Sequence, residues 1–285
     1  MSKPARIGII GLGIIGSRVA DNLRRRGHEV YVWSRSPKPV PNFLGSAEEV
    51  AKTCDVLQFF VSDDTALLQA VQSVASVLTK KHILLFHPTV SPETTKRVGG
   101  IVSSVGAQFL DAPFTGSKVA AEKGLLVYYV GGDAAVIEKV TPLLLDSGKS
   151  VVPIGEVGQA AVMKIAANMM IAGTLQVLGE ALALTTAAGI SLEKAQEALA
   201  LNAVRSPLLD MKFPSIIAED FSPHFTVQHM LKDLRHAAGL SKPKNIATPA
   251  TDAALASLQR ADNAGRAGDD FSVMTTLATK SGEAV

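Results

Sequence analysis

Thiol chemistry is almost absent from this chain: Cys54 is its sole cysteine, so no disulfide can close within it. That suits a reducing compartment, and the cytoplasm is the expected location. Charge of one sign is scarce as well. Against 28 Lys and Arg stand 26 Asp and Glu, leaving +2, too little to steer the chain toward nucleic acid or a membrane. Neither is expected as a partner. The opening Met-Ser-Lys-Pro-Ala-Arg runs straight into a strand-like stretch, and no apolar leader with a small-residue cleavage site reads as an export signal. The most apolar segments are broken by Lys, Glu or Asp, so no membrane span is expected. His28, His82, His87, His224, His229 and His236 show no HxxH or HExxH spacing, and no metal is expected. His224 and His229 could approach a ligand cleft, but all six are read as structural or surface groups. Repeats, low-complexity tracts and disordered linkers are also lacking.

What is present is apolar bulk, 47% of 285 residues, which is more than one core usually spans. Two domains are expected. In the first, β-rich runs over 6–10, 29–33, 56–61, 83–86 and 108–110 alternate with helical patterns over 15–26, 48–52, 65–78 and 92–105. Further strands are read over 125–130 and 149–153, with a helix over 134–145 between them. Such alternation implies parallel strands with crossover helices. Past Gly158 the strand signals stop. A long Ala-, Met- and Leu-rich helical pattern covers 159–188, with Gly189 as its stop, and shorter ones follow over 192–201, 229–240 and 248–261. The change falls near Glu156, dividing the chain into 1–156 and 157–285.

Gly11-Leu12-Gly13-Ile14-Ile15-Gly16 lies between the first strand and the first helix. GxGxxG alone is a weak signal, but in this position it reads as a dinucleotide cradle. Gly11 permits the turn, Gly13 lets the backbone approach a pyrophosphate, and Gly16 lets helix and strand close up. The helix N-terminus then supplies N–H groups and the positive end of its dipole. The second strand ends in Trp33-Ser34-Arg35-Ser36, with no acid to accept from a ribose 2′-hydroxyl. Arg35 between two hydroxyls suits a 2′-phosphate, so the cofactor expected is NADP; the plainer alternative is a solvated surface arginine.

Asp111-Ala112-Pro113-Phe114-Thr115-Gly116-Ser117 follows a strand at its carboxyl end, where open α/β sheets bind ligands. It is either a turn or a segment offering Thr115, Ser117 and backbone amides to a substrate oxyanion or carboxylate. Lys164 sits one to two turns into the long helix, among Ala161, Val162, Met163, Ile165 and Ala166, and shares a face with Asn168. Desolvation there would lower its pKa and fit it to move a proton at a carbonyl oxygen, with Asn168 holding substrate or orienting the ammonium. A lysine snorkelling from a buried helix has the same pattern. Lys232-Asp233, on spacing alone, reads as a surface salt bridge. Arg24-Arg25-Arg26 reads as a helix C-terminal cap.

Taken in order, these motifs resemble those of the β-hydroxyacid dehydrogenases, which include 3-hydroxyisobutyrate dehydrogenase, tartronate semialdehyde reductase and glyoxylate/succinic semialdehyde reductase. The carriers are Gly11 to Gly16, Asp111 to Gly116 with Gly124, Gly155-Glu156-Val157-Gly158 leading into Lys164 and Asn168, and Lys232-Asp233. Gly116-Ser117-Lys118, Ala121-Glu122-Lys123-Gly124 and Lys232-Asp233-Leu234-Arg235 look most like the glyoxylate/succinic semialdehyde reductase branch.

The resemblance implies an α/β Rossmann-type N-terminal domain and an all-α C-terminal domain, as in 6-phosphogluconate dehydrogenase-like folds. The activity implied is NADPH-dependent reduction of a small aldehyde or oxo acid to the hydroxy acid. Lys164 is implied as the acid/base, and Thr115, Gly116 and Asn168 in substrate binding. Val61, Ser62, Thr89 and Lys232 are implied near the cofactor, which reverses the reading of Lys232 from spacing. A homodimer through the long helix is implied too. Phe114 and Thr115 stand where the family has a small β-branched residue and serine, and Pro88 where serine is typical, so the substrate could differ from the branch's norm. Imine reductases of the same scaffold typically lack the lysine. Imine reduction and non-catalytic NADP binding are the two rival readings.

Overall fold

The computed structural model describes residues 6–277. The chain separates into two compact units, Met1–Lys164 and Ile165–Val285.

The first unit is built on one sheet. Strands β1 (Arg6–Ile10), β2 (Glu29–Trp33), β3 (Val56–Phe59), β4 (Ile83–Phe86) and β5 (Gln108–Asp111) lie parallel in the order β2-β1-β3-β4-β5. Helices α1 (Ile14–Arg25), α2 (Ala47–Thr53), α3 (Asp64–Val74) and α4 (Pro92–Ser104) connect them. Both faces are covered, which is why β4 reads as an unbroken buried Ile-Leu-Leu-Phe. Ile7 and Ile9 of β1 enter one apolar layer, while Ile10 enters the other with Leu57, Phe59, Leu84 and Phe86. The strand order reverses around β1, and ligands bind such sheets outside the carboxyl ends at that point.

The parallel expectation fails beyond β5. There β6 (Phe114–Thr115), α5 (Lys118–Glu122), β7 (Leu126–Gly131), α6 (Ala134–Leu145) and β8 (Gly148–Gly155) follow. β7 runs antiparallel to both β5 and β6, and β8 pairs parallel with β7, so these last two strands run against the first five. The reason is length. The five-residue α5 is too short for a crossover, which needs a dozen residues or more, so the chain turns back on itself.

Helix α7 (Gln159–Ala187) opens in the first unit and continues through the second. Among the described residues it alone is long and apolar enough to cross a membrane by length and composition. The expectation that no stretch of that length and composition occurs fails here: Lys164 and Glu180 do interrupt the helix, but they are its only charges. Within the second unit Ala172, Leu175, Leu178 and Leu182 of α7 are buried in a core with Leu209, Phe213, Leu231, Leu234 and Leu258. That core is formed with α8 (Leu192–Ala200), α9 (Pro207–Ile217), α10 (Val227–Ser241), α11 (Pro249–Asn263) and a closing 3-10 turn, Phe271–Leu277. Gly179 lets this last segment approach closely, since a Cβ there would lie 2.8 Å from the Thr275 Cα. α9 has a Ser206 cap and Pro207 in its first turn, but Pro214 inside it hides the helix from a periodicity reading.

Candidate active site

The glycine turn joins β1 to α1. Gly11 has φ +108°, and a Cβ on it would lie 2.1 Å from the Phe60 carbonyl oxygen. A Cβ on Gly16 would lie 2.0 Å from the Gly11 oxygen, so helix and strand close to a distance only glycine permits. Gly13 differs, because nothing lies within 4 Å of the place its Cβ would occupy. It is also the N-cap of α1 and offers no side-chain cap, nor does an acid stand in the first turn. Ser46, Asp63, Ser91, Ser117 and Asp133 cap α2 to α6 with their own side chains. The α1 N-terminus, with Leu12, Gly13, Ile14 and Ile15 around it, is therefore an uncapped donor cluster beside open space. That is the form a pyrophosphate fits.

Beside it, the Gly11 N–H donates to Trp33 O at 2.8 Å, tying the turn to the end of β2. The Ser34 hydroxyl donates to Ser36 O at 2.7 Å, which folds the strand end into a tight turn around the exposed Arg35. Lys38 reaches back from the next loop and donates from Nζ to the Leu12 carbonyl. Sequence reading missed Lys38. Its signal was faint, a second cationic side chain past an acid-free strand end.

Past the carboxyl end of β3, Val61 is half-buried and Ser62 exposed, its hydroxyl donating to Asp63 Oδ2 at 2.5 Å. Thr89, after β4, is half-buried, and Pro88 before it is buried.

The segment after β5 is more than a turn. Asp111 is 1% exposed and its Oδ2 accepts the N–H groups of Gly158 at 3.1 Å and Ala161 at 2.9 Å. Burial pushes its carboxyl up to about 6, against the pull of those two donors. The carboxylate thus caps the start of α7, and the first turns of that helix belong with the first unit. Phe114 and Thr115 pair with β7, Gly116 takes φ +134°, and Ser117 accepts the Ala120 N–H as the cap of α5. Lys164 is half-buried.

In the second unit Asn168 is 2% exposed and donates from Nδ2 to Asp233 Oδ2 at 2.5 Å. Lys232 Nζ donates to the other oxygen of the same carboxylate at 2.6 Å. A carboxylate only accepts, so it fixes which end of the Asn168 amide is nitrogen. With Asp233 buried, the surface salt bridge read from spacing is corrected: Lys232 and Asn168 meet on a buried carboxylate. His229 Nδ1 lies 2.6 Å from Thr226 Oγ1, a satisfied structural contact. Among the described residues no cluster of His, Cys, Asp and Glu is arranged to hold a metal.

The NAD-binding domain of 6-phosphogluconate dehydrogenase matches residues 6–155. The NAD-binding domain of NADP-dependent 3-hydroxyisobutyrate dehydrogenase matches residues 158–278. Glyoxylate/succinic semialdehyde reductase 2, chloroplastic, of Arabidopsis thaliana is 32% identical over 98% of this chain and 81% of its own length. Cytokine-like nuclear factor N-PAC of Xenopus tropicalis is 31% identical over 94% of this chain, which spans 52% of that protein. Among solved structures, 3-hydroxyisobutyrate dehydrogenase of Mycobacterium tuberculosis with L-serine superposes with a TM-score of 0.87 at 22% identity, covering 96% of this chain and 99% of that one.

Proposed function

The chain belongs to the β-hydroxyacid dehydrogenase family of nicotinamide-dependent oxidoreductases, and from that premise we propose that it reduces a small aldehyde or oxo acid to the hydroxy acid with NADPH, using Lys164 as the acid. The observation that carries the reading is the uncapped, acid-free N-terminus of α1 with Arg35 and Lys38 beside it. A dianionic 2′-phosphate would be met there by two cations, and no carboxylate accepts from a ribose hydroxyl.

The dinucleotide, when bound, supplies hydride to the carbonyl carbon. The chain's own groups do the rest. As negative charge gathers on the carbonyl oxygen, the Lys164 ammonium gives it a proton, and the neutral amine recovers one from solvent. Thr115 and the Gly116 backbone hold the acid end of the substrate. Asn168, its amide set by Asp233, orients the reacting group.

The glyoxylate/succinic semialdehyde reductase likeness makes these two aldehydes the first substrates to try. The test is NADPH oxidation by wild type and Lys164→Ala with glyoxylate, succinic semialdehyde and a cyclic imine. Turnover of an aldehyde by wild type, lost in Lys164→Ala, supports the reading. Turnover of the imine alone points to an imine reductase. Tight NADPH binding without any turnover points to a non-catalytic NADP-binding protein.

The active form is a homodimer joined along α7. Met170, Val177 and Leu184 recur every seven residues and are 75%, 60% and 73% exposed, an apolar seam that a second copy of the helix would cover. Light scattering of Met170→Glu/Leu184→Glu checks this: a doubly charged seam leaves a monomer, and an unchanged dimer rules the seam out.

A further inference from the structure

His87 follows β4 and is 1% exposed, yet the reaction above gives it no part. Its Nδ1 lies 2.7 Å from the carbonyl oxygen of Ala112, and its Nε2 lies 3.0 Å from the amide of Gln58. The ring stacks on Phe60 at 4.3 Å between centroids and 19° between planes. Tyr128 flanks it at 5.4 Å.

These contacts fix the proton. A backbone carbonyl only accepts, so Nδ1 carries the hydrogen. Burial pushes the imidazole down to about 4, which leaves Nε2 with a lone pair at neutral pH. That lone pair needs a donor. Gln58 is fully buried and its Nε2 is without a partner while Oε1 faces the ring. Turning the Gln58 amide over puts an N–H on His87 Nε2 and satisfies the stranded group.

The bond to Ala112 falls where the chain leaves the sheet. The Ala112 N–H donates to Phe86 O at 2.8 Å, the last rung of the β4–β5 ladder, and Tyr129 N–H donates to Pro113 O at 2.9 Å. Pro113 has no N–H of its own to offer. The direction taken by the next residues, Phe114 to Gly116, depends on how the Ala112 carbonyl is held, and the rigid imidazole holds it across 25 residues.

We infer that His87, locked as the Nδ1–H tautomer between Gln58 and Ala112, is a positioning residue that sets the path of the Thr115–Gly116 segment and so the binding of the carbonyl substrate. The inference rests on the substrate role proposed above for Thr115 and Gly116.

Three substitutions separate the ring's two ends. The amide nitrogen of His87→Asn stands near the place of Nδ1 and keeps a donor for Ala112. His87→Gln carries its nitrogen near Nε2 and loses that donor, and His87→Leu has neither. The readouts are KM and kcat with NADPH and the small aldehydes, hydrogen–deuterium exchange of residues 112–124, and the ring nitrogen spectrum of wild type. Expected are a protonated Nδ1 and a bare Nε2, together with faster exchange over 112–124 in His87→Gln and His87→Leu. The KM for aldehyde should rise about tenfold in those two, the size of one lost hydrogen bond, and the KM for NADPH should stay unchanged. His87→Asn stays near wild type in both. A proton found on Nε2 instead, or equal losses in Asn and Gln variants spread over kcat, both KM values and exchange throughout the unit, would overturn the inference. If wild type turns over no aldehyde, the proposed function fails, while the tautomer and the exchange over 112–124 still decide whether His87 holds the segment.

Discussion

Asp111 accepts the Ala161 N–H at 2.9 Å across 50 residues of chain, so the end of one β-strand caps the helix that carries Lys164. The same residue begins the Asp111–Ser117 segment. One buried carboxyl thus fixes two elements of the candidate site at once.

That carboxyl makes the first unit sensitive to pH. Its value rises from 3.8 to about 6 on folding, chiefly by burial. A raised acid binds its proton more tightly in the native state, so the associated stability is present below about pH 4 and is lost as pH climbs to about 6. A shift of about two pH units corresponds to roughly 3 kcal/mol. Denaturant titrations from pH 4 to 7 should show stability falling through that window. Asp111→Asn, which keeps an acceptor oxygen but does not ionise, should flatten the curve. A slope that survives the substitution would assign it to another group.

The turn glycines divide into two kinds. Gly11→Ala places a Cβ 2.1 Å from the Phe60 oxygen in a backbone region that alanine avoids, and should cost more than about 1 kcal/mol. Gly13→Ala adds a methyl group to open space at φ −72° and should leave stability within about 0.5 kcal/mol of wild type. In the proposed site that methyl would occupy ground a pyrophosphate needs, so NADPH affinity should fall about tenfold or more. Thermal melts and fluorescence titrations on the two variants separate the roles. Undiminished binding in Gly13→Ala would mean that the open space is not the cradle.

In the proposed site, Arg35 and Lys38 would supply the discrimination for NADPH. Arg35→Asp should weaken NADPH binding more than NADH binding, because it exchanges a guanidinium for the acid that NAD sites carry. Lys38→Ala should cost NADPH affinity about tenfold, since a charged hydrogen bond is worth about 1.5–3 kcal/mol when made to a phosphate. Equal effects on the two cofactors would refute both roles.

The parts of this molecule legible in the sequence are those whose causes are local. The bounds read for β1, β2, β4 and α6 coincide with the observed ones, because their apolar runs and caps sit within a few residues of each other. The glycine turn belongs to the same class. What stayed hidden depends on partners far along the chain. Asp111 meets Ala161 and Asn168 meets Asp233 over separations of 50 and 65 residues. In sequence His87 reads as one structural or surface histidine among six, since nothing near it marks Ala112 as its acceptor. The antiparallel return of β7 was concealed by a strand pattern that has no sense of direction.

The second unit offers the sharpest test of a buried ion pair. Lys212 and Asp270 are 3% and 4% exposed in their side chains and meet at 2.6 Å, with Lys212 lying 4.7 Å over the Phe271 ring. Asp270 also accepts the N–H groups of His224, Phe225 and Ser272, so it binds α9, the loop before α10 and the closing 3-10 turn together. Burial alone would raise its pKa, but the Lys212 charge and these hydrogen bonds outweigh burial and hold it below the ordinary 3.8. A depressed acid contributes stability above its unfolded value, and that contribution is lost as pH falls through the region below 3.8. Lys212→Met leaves the carboxylate buried without its cation, which should cost about 3–5 kcal/mol at pH 7. The loss should shrink toward pH 4, where the stranded acid can take a proton. Urea denaturation of both proteins at the two pH values checks it: a loss of equal size at both would mean that Lys212 acts through packing on Phe271 and not through its charge.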